Sequence, residues 1–222
     1  MRSKFAAAAG FVLLLAASPA ASADAPGIEL PADGDEYSAL VARAAAHDQS
    51  VDFAALRAAY LTSAAYKRAD LDTLQRLEHE MVAATQATDG AATVRQKAEQ
   101  ILSIDFTDLN AQKLLRQSCA LLHDDACADL HHFLEFGLLK SITQGGDGKS
   151  CAAGWEAMQI KEEYFLLAMI GAKVESQSLV SDGGHSCDAM AVTDENGAAQ
   201  TYFFKIDKMM AAESASLGLP SK

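Results

Sequence analysis

Proline is missing from the body of this chain. All four prolines (Pro19, Pro26, Pro31 and Pro220) lie outside residues 32–219, so no proline breaks a helix or strand between them. Glycine is nearly missing from the first half: Gly90 stands alone between Asp35 and Phe136, whereas nine glycines fall from Gly137 to Gly197. Glycine punctuates turns and helix ends, so long helices are expected first and short elements with tight turns second. Basic residues are scarce, 18 against 30 acidic ones, for a net charge of −12. Without a basic footprint, nucleic-acid binding is excluded as a reading, and docking on anionic lipid is disfavoured. Catalytic signatures are missing as well. There is no G-x-S-x-G nucleophile elbow. The run Gly145-Gly146-Asp147-Gly148-Lys149-Ser150 fails as a phosphate loop because Thr143 stands where that pattern needs glycine.

The start of the chain reads as a leader. Arg2 and Lys4 precede an apolar run from Phe5 to Ala17, and Ala21-Ser22-Ala23 supplies a small-x-small cleavage site. The run falls short of the roughly 20 apolar residues that span a bilayer. Cleavage near Ala23 would leave 199 residues with a net charge of −14 and no stable membrane anchor. A periplasmic or secreted protein is expected. In an oxidising compartment the four cysteines, all beyond residue 23, read as two disulfides. Cys119–Cys127 would pin a helix–helix turn and Cys151–Cys187 would tie two strand ends. Four free thiols is the competing reading.

Apolar residues recur with helical period at Phe53/Leu56/Tyr60/Leu61, Leu71/Leu74/Leu77/Met81/Val82, Val94/Ala98/Ile101/Leu102, Ala111/Leu114/Leu115/Leu122 (with Ser118 on the same stripe) and Leu130/Phe133/Leu134/Leu138. Asp52 is the expected cap of the first, Thr107 of the fourth and Asp124-Asp125 of the fifth. Short connections make neighbours antiparallel, and Ala98–Leu138 looks like a tetratricopeptide-type hairpin. Beyond Gly145 the period changes. Trp155–Ile160 reads as extended and Lys161–Ile170 as a short helix ending at Gly171; Val174–Val180, Cys187–Thr193 and Thr201–Ile206 read as strands. Asp194-Glu195-Asn196-Gly197 is a hairpin signal. The fold expected is α+β: antiparallel helical hairpins, then a small antiparallel sheet with one short helix. Its parts are a leader (1–23), a flexible N-terminus (24–34), a helical region (35–144) and a small α+β region packed on it (145–222).

Candidate site residues are few, and each has a structural alternative. Glu162 and Glu163 suit the first turn of a helix, where acids complement the dipole. With Asp188 they would also make a carboxylate site for acid–base chemistry. His185, in a turn, is a candidate general base or a solvated loop residue. Asp147, Lys149 and Tyr164 are candidate ligand contacts. His123, Cys127, His131 and Glu135 recur every four residues, a spacing that can bind zinc; with Cys127 in a disulfide no metal is expected, and no cofactor is implied. Trp155, the single tryptophan, reads as core or edge-strand packing.

A set of residues in the second half carries a family resemblance. Ser141-Ile142 leads to Gly146-Asp147-Gly148, Trp155-Glu156 and Glu162-Glu163-Tyr164. Gly171, Gln177-Ser178-Leu179, Cys187-Asp188 and Tyr202-Phe203-Phe204 follow. This combination, spread over Ala98 to Asp207, resembles the bacterial exported family called domain of unknown function 4919. The resemblance implies an exported protein with helices followed by a small β region. It implies no activity, and it marks Asp147, Glu162, Glu163, Tyr164 and Asp188 for scrutiny. Two functions are weighed. One is a non-catalytic binding module whose helical-hairpin surface meets a protein or peptide. The other is a hydrolase with its carboxylates at Glu162, Glu163 and Asp188, assisted by Lys149 or Tyr164.

Overall fold

A computed structural model describes residues 27–218. The leader and its cleavage site near Ala23 lie outside them. Seven helices come first: α1 (Glu36–Ala45), α2 (Phe53–Thr62), α3 (Ala64–Arg68), α4 (Leu71–Ala84), α5 (Ala91–Ile104), α6 (Leu109–Leu121) and α7 (Asp125–Thr143). Five of these match the periodic stripes; α1 and α3 are additions. The stripe of α1, Tyr37/Leu40/Val41/Ala44, has the same spacing but is diluted by alanine.

Aspartates set the helix starts, which accounts for part of the acidity of this half. The carboxylates of Asp35, Asp52, Asp108 and Asp124 each accept a backbone N–H from the first turn that follows. Asp108 therefore caps α6 in place of Thr107. The Thr107 hydroxyl is already donated to Asp105 Oδ1 at 2.6 Å, so the helix begins one residue later.

The second half holds β1 (Trp155–Glu156), α8 (Ile160–Met169), β2 (Lys173–Asp182), β3 (His185–Thr193), β4 (Ala199–Lys205) and α9 (Asp207–Ser216). The strand order is β1-β4-β3-β2. The sheet is mixed rather than purely antiparallel, because β1 pairs with β4 in parallel while β2/β3 and β3/β4 are antiparallel. β1 is also only two residues long, shorter than the extended run expected to Ile160. The chain reaches β1 from the glycine turn, not from a hairpin, and leaves it at once to cap α8. The β3–β4 hairpin turns through Asp194–Gly197 as expected. The terminal helix α9 is a further addition.

Both expected disulfides are present, Cys119–Cys127 across the α6–α7 turn and Cys151–Cys187 between the glycine turn and β3. Two apolar cores form. One is built by α4–α6 from Leu77, Met81, Ile101, Leu102 and Leu115. The larger is shared by both halves: Val41, Leu56, Tyr60 and Leu138 pack with Leu167, Met190 and Phe204. The sheet is thus seated in the helical region. Within the segment expected to be flexible, Ile28 packs against both cores and the Glu29 N–H donates to Ser103 Oγ. Leu71, Val82 and Leu122, placed on inward stripes by periodicity, are exposed. The buried stripe of α4 is the narrower Leu74/Leu77/Met81 set, whose main neighbour is α5.

Trp155 packs in the core. Its ring stacks on Tyr202 and meets Phe204 edge-on, and its Nε1–H donates to the Gly146 carbonyl. Gly148, at φ +72°, lies against that ring, and a Cβ there would fall 2.7 Å from Trp155 Cε2. The Gly-Asp-Gly run is a seat for the tryptophan.

Candidate functional site

A cleft of about 770 Å³ opens between α2–α4 on one side and α9 on the other. Leu61, Tyr66, Leu71 and Leu74 make one wall. Ala212, Ala215 and Ser216 make the other, and their small side chains leave the space open. None of the residues of α9 is buried. Lys161, Glu78 and Gln159 form the base.

That base is assembled from loop and helix-start chemistry. Asp105 and Asp108 flank the short α5–α6 connection, and each divides its two carboxylate oxygens between jobs. Asp105 Oδ1 accepts from Thr107 N and Oγ1, while its Oδ2 accepts from Lys161 Nζ at 2.9 Å and from Gln159 Nε2. Asp108 Oδ1 caps α6, while its Oδ2 accepts a second hydrogen bond from Lys161 Nζ. Glu78, on α4, stands 3.9 Å from the same ammonium. Burial opposes the charges of Asp105 and Lys161, but their pairing outweighs it. Asp105 is held below the usual carboxylate range and Lys161 well above the usual lysine range. Glu78 shifts upward, through burial first and then the charge of Asp108, which together outweigh Lys161. The cleft base therefore carries three carboxylates around one ammonium.

The carboxylates singled out in the sequence lie elsewhere: Glu162, Glu163 and Asp188 do not line this cleft. Successive helix positions diverge by about 100°, so Glu162 and Glu163 face different partners. Glu162 receives Arg57 through two bonds, Nε to Oε1 at 2.8 Å and Nη2 to Oε2 at 2.6 Å, with both side chains buried. Its Oε2 also accepts the Met158 N–H, completing the entry into α8. Glu163 is fully buried beside Asp188, and its oxygens receive no donor from elsewhere in the protein. Burial first, then the adjacent Asp188, push the Glu163 carboxyl up to about 9. At neutral pH Glu163 is therefore held in its protonated form beside Asp188. Gln177 Nε2 donates to Asp188 Oδ2 at 2.7 Å, and the Tyr164 hydroxyl donates to Gln177 Oε1.

The model of one family, described as Domain of unknown function (DUF4919), matches residues 33–215. The chain belongs to this family. The match is wider than the Ala98–Asp207 resemblance and takes in α1–α4, so the helices that wall the cleft are part of the DUF4919 unit. No curated protein and no solved structure matches the chain.

The remaining candidates of this DUF4919 protein are dispersed. Asp147 and Lys149 sit exposed on the tryptophan-seating turn, where Asp147 Oδ1 accepts the Lys149 N–H. His185 opens β3 and pairs through Nδ1 with Asp207 at 2.8 Å. It is three residues from Asp188 on one strand, hence on the opposite face of the sheet. The four-residue His/Cys/Glu spacing forms no ligand set. His123 lies in the turn before α7 at φ +60°. Cys127 is in its disulfide, His131 Nδ1 donates to Gln112 Oε1, and Glu135 accepts from Arg116. Cys119, Asp124 and Cys127 do cluster, but both sulfurs are committed to each other. Sequence reasoning missed Arg57, Glu78, Asp108 and Lys161. The available signal was a lone arginine inside the apolar α2 stripe and the Asp-x-x-Asp spacing of 105 and 108.

Proposed function

We propose that this protein is an exported, non-catalytic binding module, and that its partner is a protein or peptide segment seated in the cleft between α2–α4 and α9. The cleft itself carries the reading. Its volume lies in the range of about 300–1,000 Å³ typical of ligand sites, and it joins apolar walls to a few convergent polar groups, the usual composition of such sites. Leu71 on the cleft wall is 75% exposed, leaving apolar surface for an occupant to cover. The basic-then-apolar start of the chain and the two disulfides support an oxidising, extracytoplasmic setting.

Ala212→Trp tests this, because it fills the cleft from α9. A displayed peptide library panned on the wild-type protein should enrich sequences whose binding falls at least about tenfold on the variant, with the thermal melt unchanged. Enriched peptides that bind both proteins equally, or no enrichment at all, would refute the reading.

A second reading, a hydrolase using Glu163 as proton donor and Asp188 as base, is favoured by the contact between those two carboxyls. Against it, Glu163 is fully buried and Asp188 is 6% exposed. Turnover of a chromogenic glycoside or ester panel that disappears in Glu163→Gln would support it.

A further inference from the structure

We infer that the occupant of the cleft is a peptide segment carrying a cationic side chain between apolar ones, with the cation placed against Glu78. This rests on the binding reading above and names the chemistry it selects.

Charge decides the sign of the occupant. Lys161 is not a free cation at the cleft base. Two of its protons are committed to Asp105 and Asp108, both fully buried. Glu78 is the third acid around it, and unlike the other two it is partly exposed, at 36% of its side chain, and lines the cleft. An incoming anion would meet Glu78 with Asp108 behind it. An incoming ammonium or guanidinium would meet Glu78, whose only cationic neighbour among the described residues, Lys161, stands at 3.9 Å and is held more closely by Asp105 and Asp108, and would complete a two-against-three pairing. The same negative field is felt by Tyr60 on the cleft wall: after burial, Asp105 is the next cause raising its phenol. Lys67 also lines the cleft, but it is more exposed to water than Glu78, so its opposing charge is the better screened of the two. The acid excess of the helical half, 19 against 9 over residues 24–136, adds a long-range attraction of the same sign.

The walls set the rest of the occupant. Leu61, Leu74 and the ring of Tyr66 offer apolar contact in the same cleft as Glu78, and Ala212 and Ala215 keep the α9 wall low. Gln75 supplies an exposed side-chain amide on the α4 wall for a peptide backbone. A lysine or arginine with apolar neighbours satisfies all three features, because its own stem is apolar and only its tip is charged.

Three acetylated, amidated pentapeptides test this by calorimetry on the full mature chain: Gly-Leu-Lys-Leu-Tyr, and the same sequence with norleucine or glutamate at the centre. The lysine peptide should bind about tenfold more tightly than the norleucine peptide, the worth of one partly shielded ion pair, and the glutamate peptide should bind weakest. Glu78→Gln should reduce the lysine advantage to about twofold or less, with norleucine binding unchanged. Binding without lysine preference, or a preference that survives in Glu78→Gln, overturns this inference but leaves the cleft as a site, provided Ala212→Trp still abolishes binding. No binding by any of the three overturns the inference and the binding reading together.

Discussion

Arg57 and Glu162, 105 residues apart in sequence, form a two-bond ion pair inside the core that joins the second helix to the start of α8. Arg57 also donates to Ser141 on α7 and to the Glu156 carbonyl at β1, so one guanidinium ties four elements. Removing one partner of a buried pair strands the other charge away from water, at a cost of about 3–5 kcal/mol. Arg57→Met should lower the urea midpoint accordingly. A loss below about 1 kcal/mol would mean that Glu162 finds another partner.

Glu163 should make the protein less stable as pH rises. Its folded-state value, about 9, lies above the ordinary glutamate value of 4.5, so between these limits the folded state holds a proton that the unfolded state releases. Stability from this group is complete below pH 4.5 and falls by at most about 1.4 kcal/mol per pH unit up to about 9. Glu163→Gln should remove that slope and be more stable than wild type at pH 8. Denaturation curves at pH 5, 6.5 and 8 measure it; parallel curves for the two proteins would show that Glu163 ionises normally.

His131 acts with the opposite sense. Burial first, then Arg95, lower its value to about 4 from 6.5, so the folded state keeps the ring neutral where the unfolded state would protonate it. Its contribution is complete above pH 6.5 and is lost as pH falls toward 4. His131→Gln should flatten the acid limb of the stability profile. Between pH 4.5 and 6.5 the slopes of His131 and Glu163 oppose each other, so Glu163→Gln should expose a steeper loss on acidification than wild type shows.

The disulfides should differ in weight. Cys151–Cys187 spans 36 residues and Cys119–Cys127 spans 8. On the loop-closure model these correspond to about 4 and about 2.5 kcal/mol. Replacing each cysteine pair by serines should therefore lower the melting temperature more for the 151/187 pair. Equal losses would point to native-state packing rather than chain entropy as the source.

The glycine turn should be intolerant of a side chain. Gly148→Ala would place a Cβ against the Trp155 ring and hold alanine at φ +72°. A loss of about 1–3 kcal/mol is expected, with an altered tryptophan emission reporting the disturbed seat.

Helices with clear period and a capping aspartate were legible in the sequence, as were the Asn-Gly hairpin and both cysteine pairings. Each rests on residues within a few positions of one another or on compartment chemistry. The parallel pairing of β1 and the presence of α9 were not legible, because neither has a local signal: β1 is two residues long and α9 presents no buried stripe. Glu162, Glu163 and Asp188 were singled out as a group, yet only Glu163 and Asp188 lie together, while Glu162 is taken by Arg57. Adjacent helix positions point apart, and which one meets α2 and which meets β3 depends on how α8 is rotated against them.

By itself the sequence determined that helices come before strands, the α+β class, the acid excess and the family to which the chain belongs, because these depend on composition, short-range periodicity and motif spacing. Only the tertiary structure decided that Lys161 is spent on Asp105 and Asp108, that Glu78 is left facing the cleft, and that Arg57 is buried on Glu162. Those pairings join residues some 50 to 105 positions apart. Their partners are chosen by helix packing, and packing sets which charges lose water and must be matched.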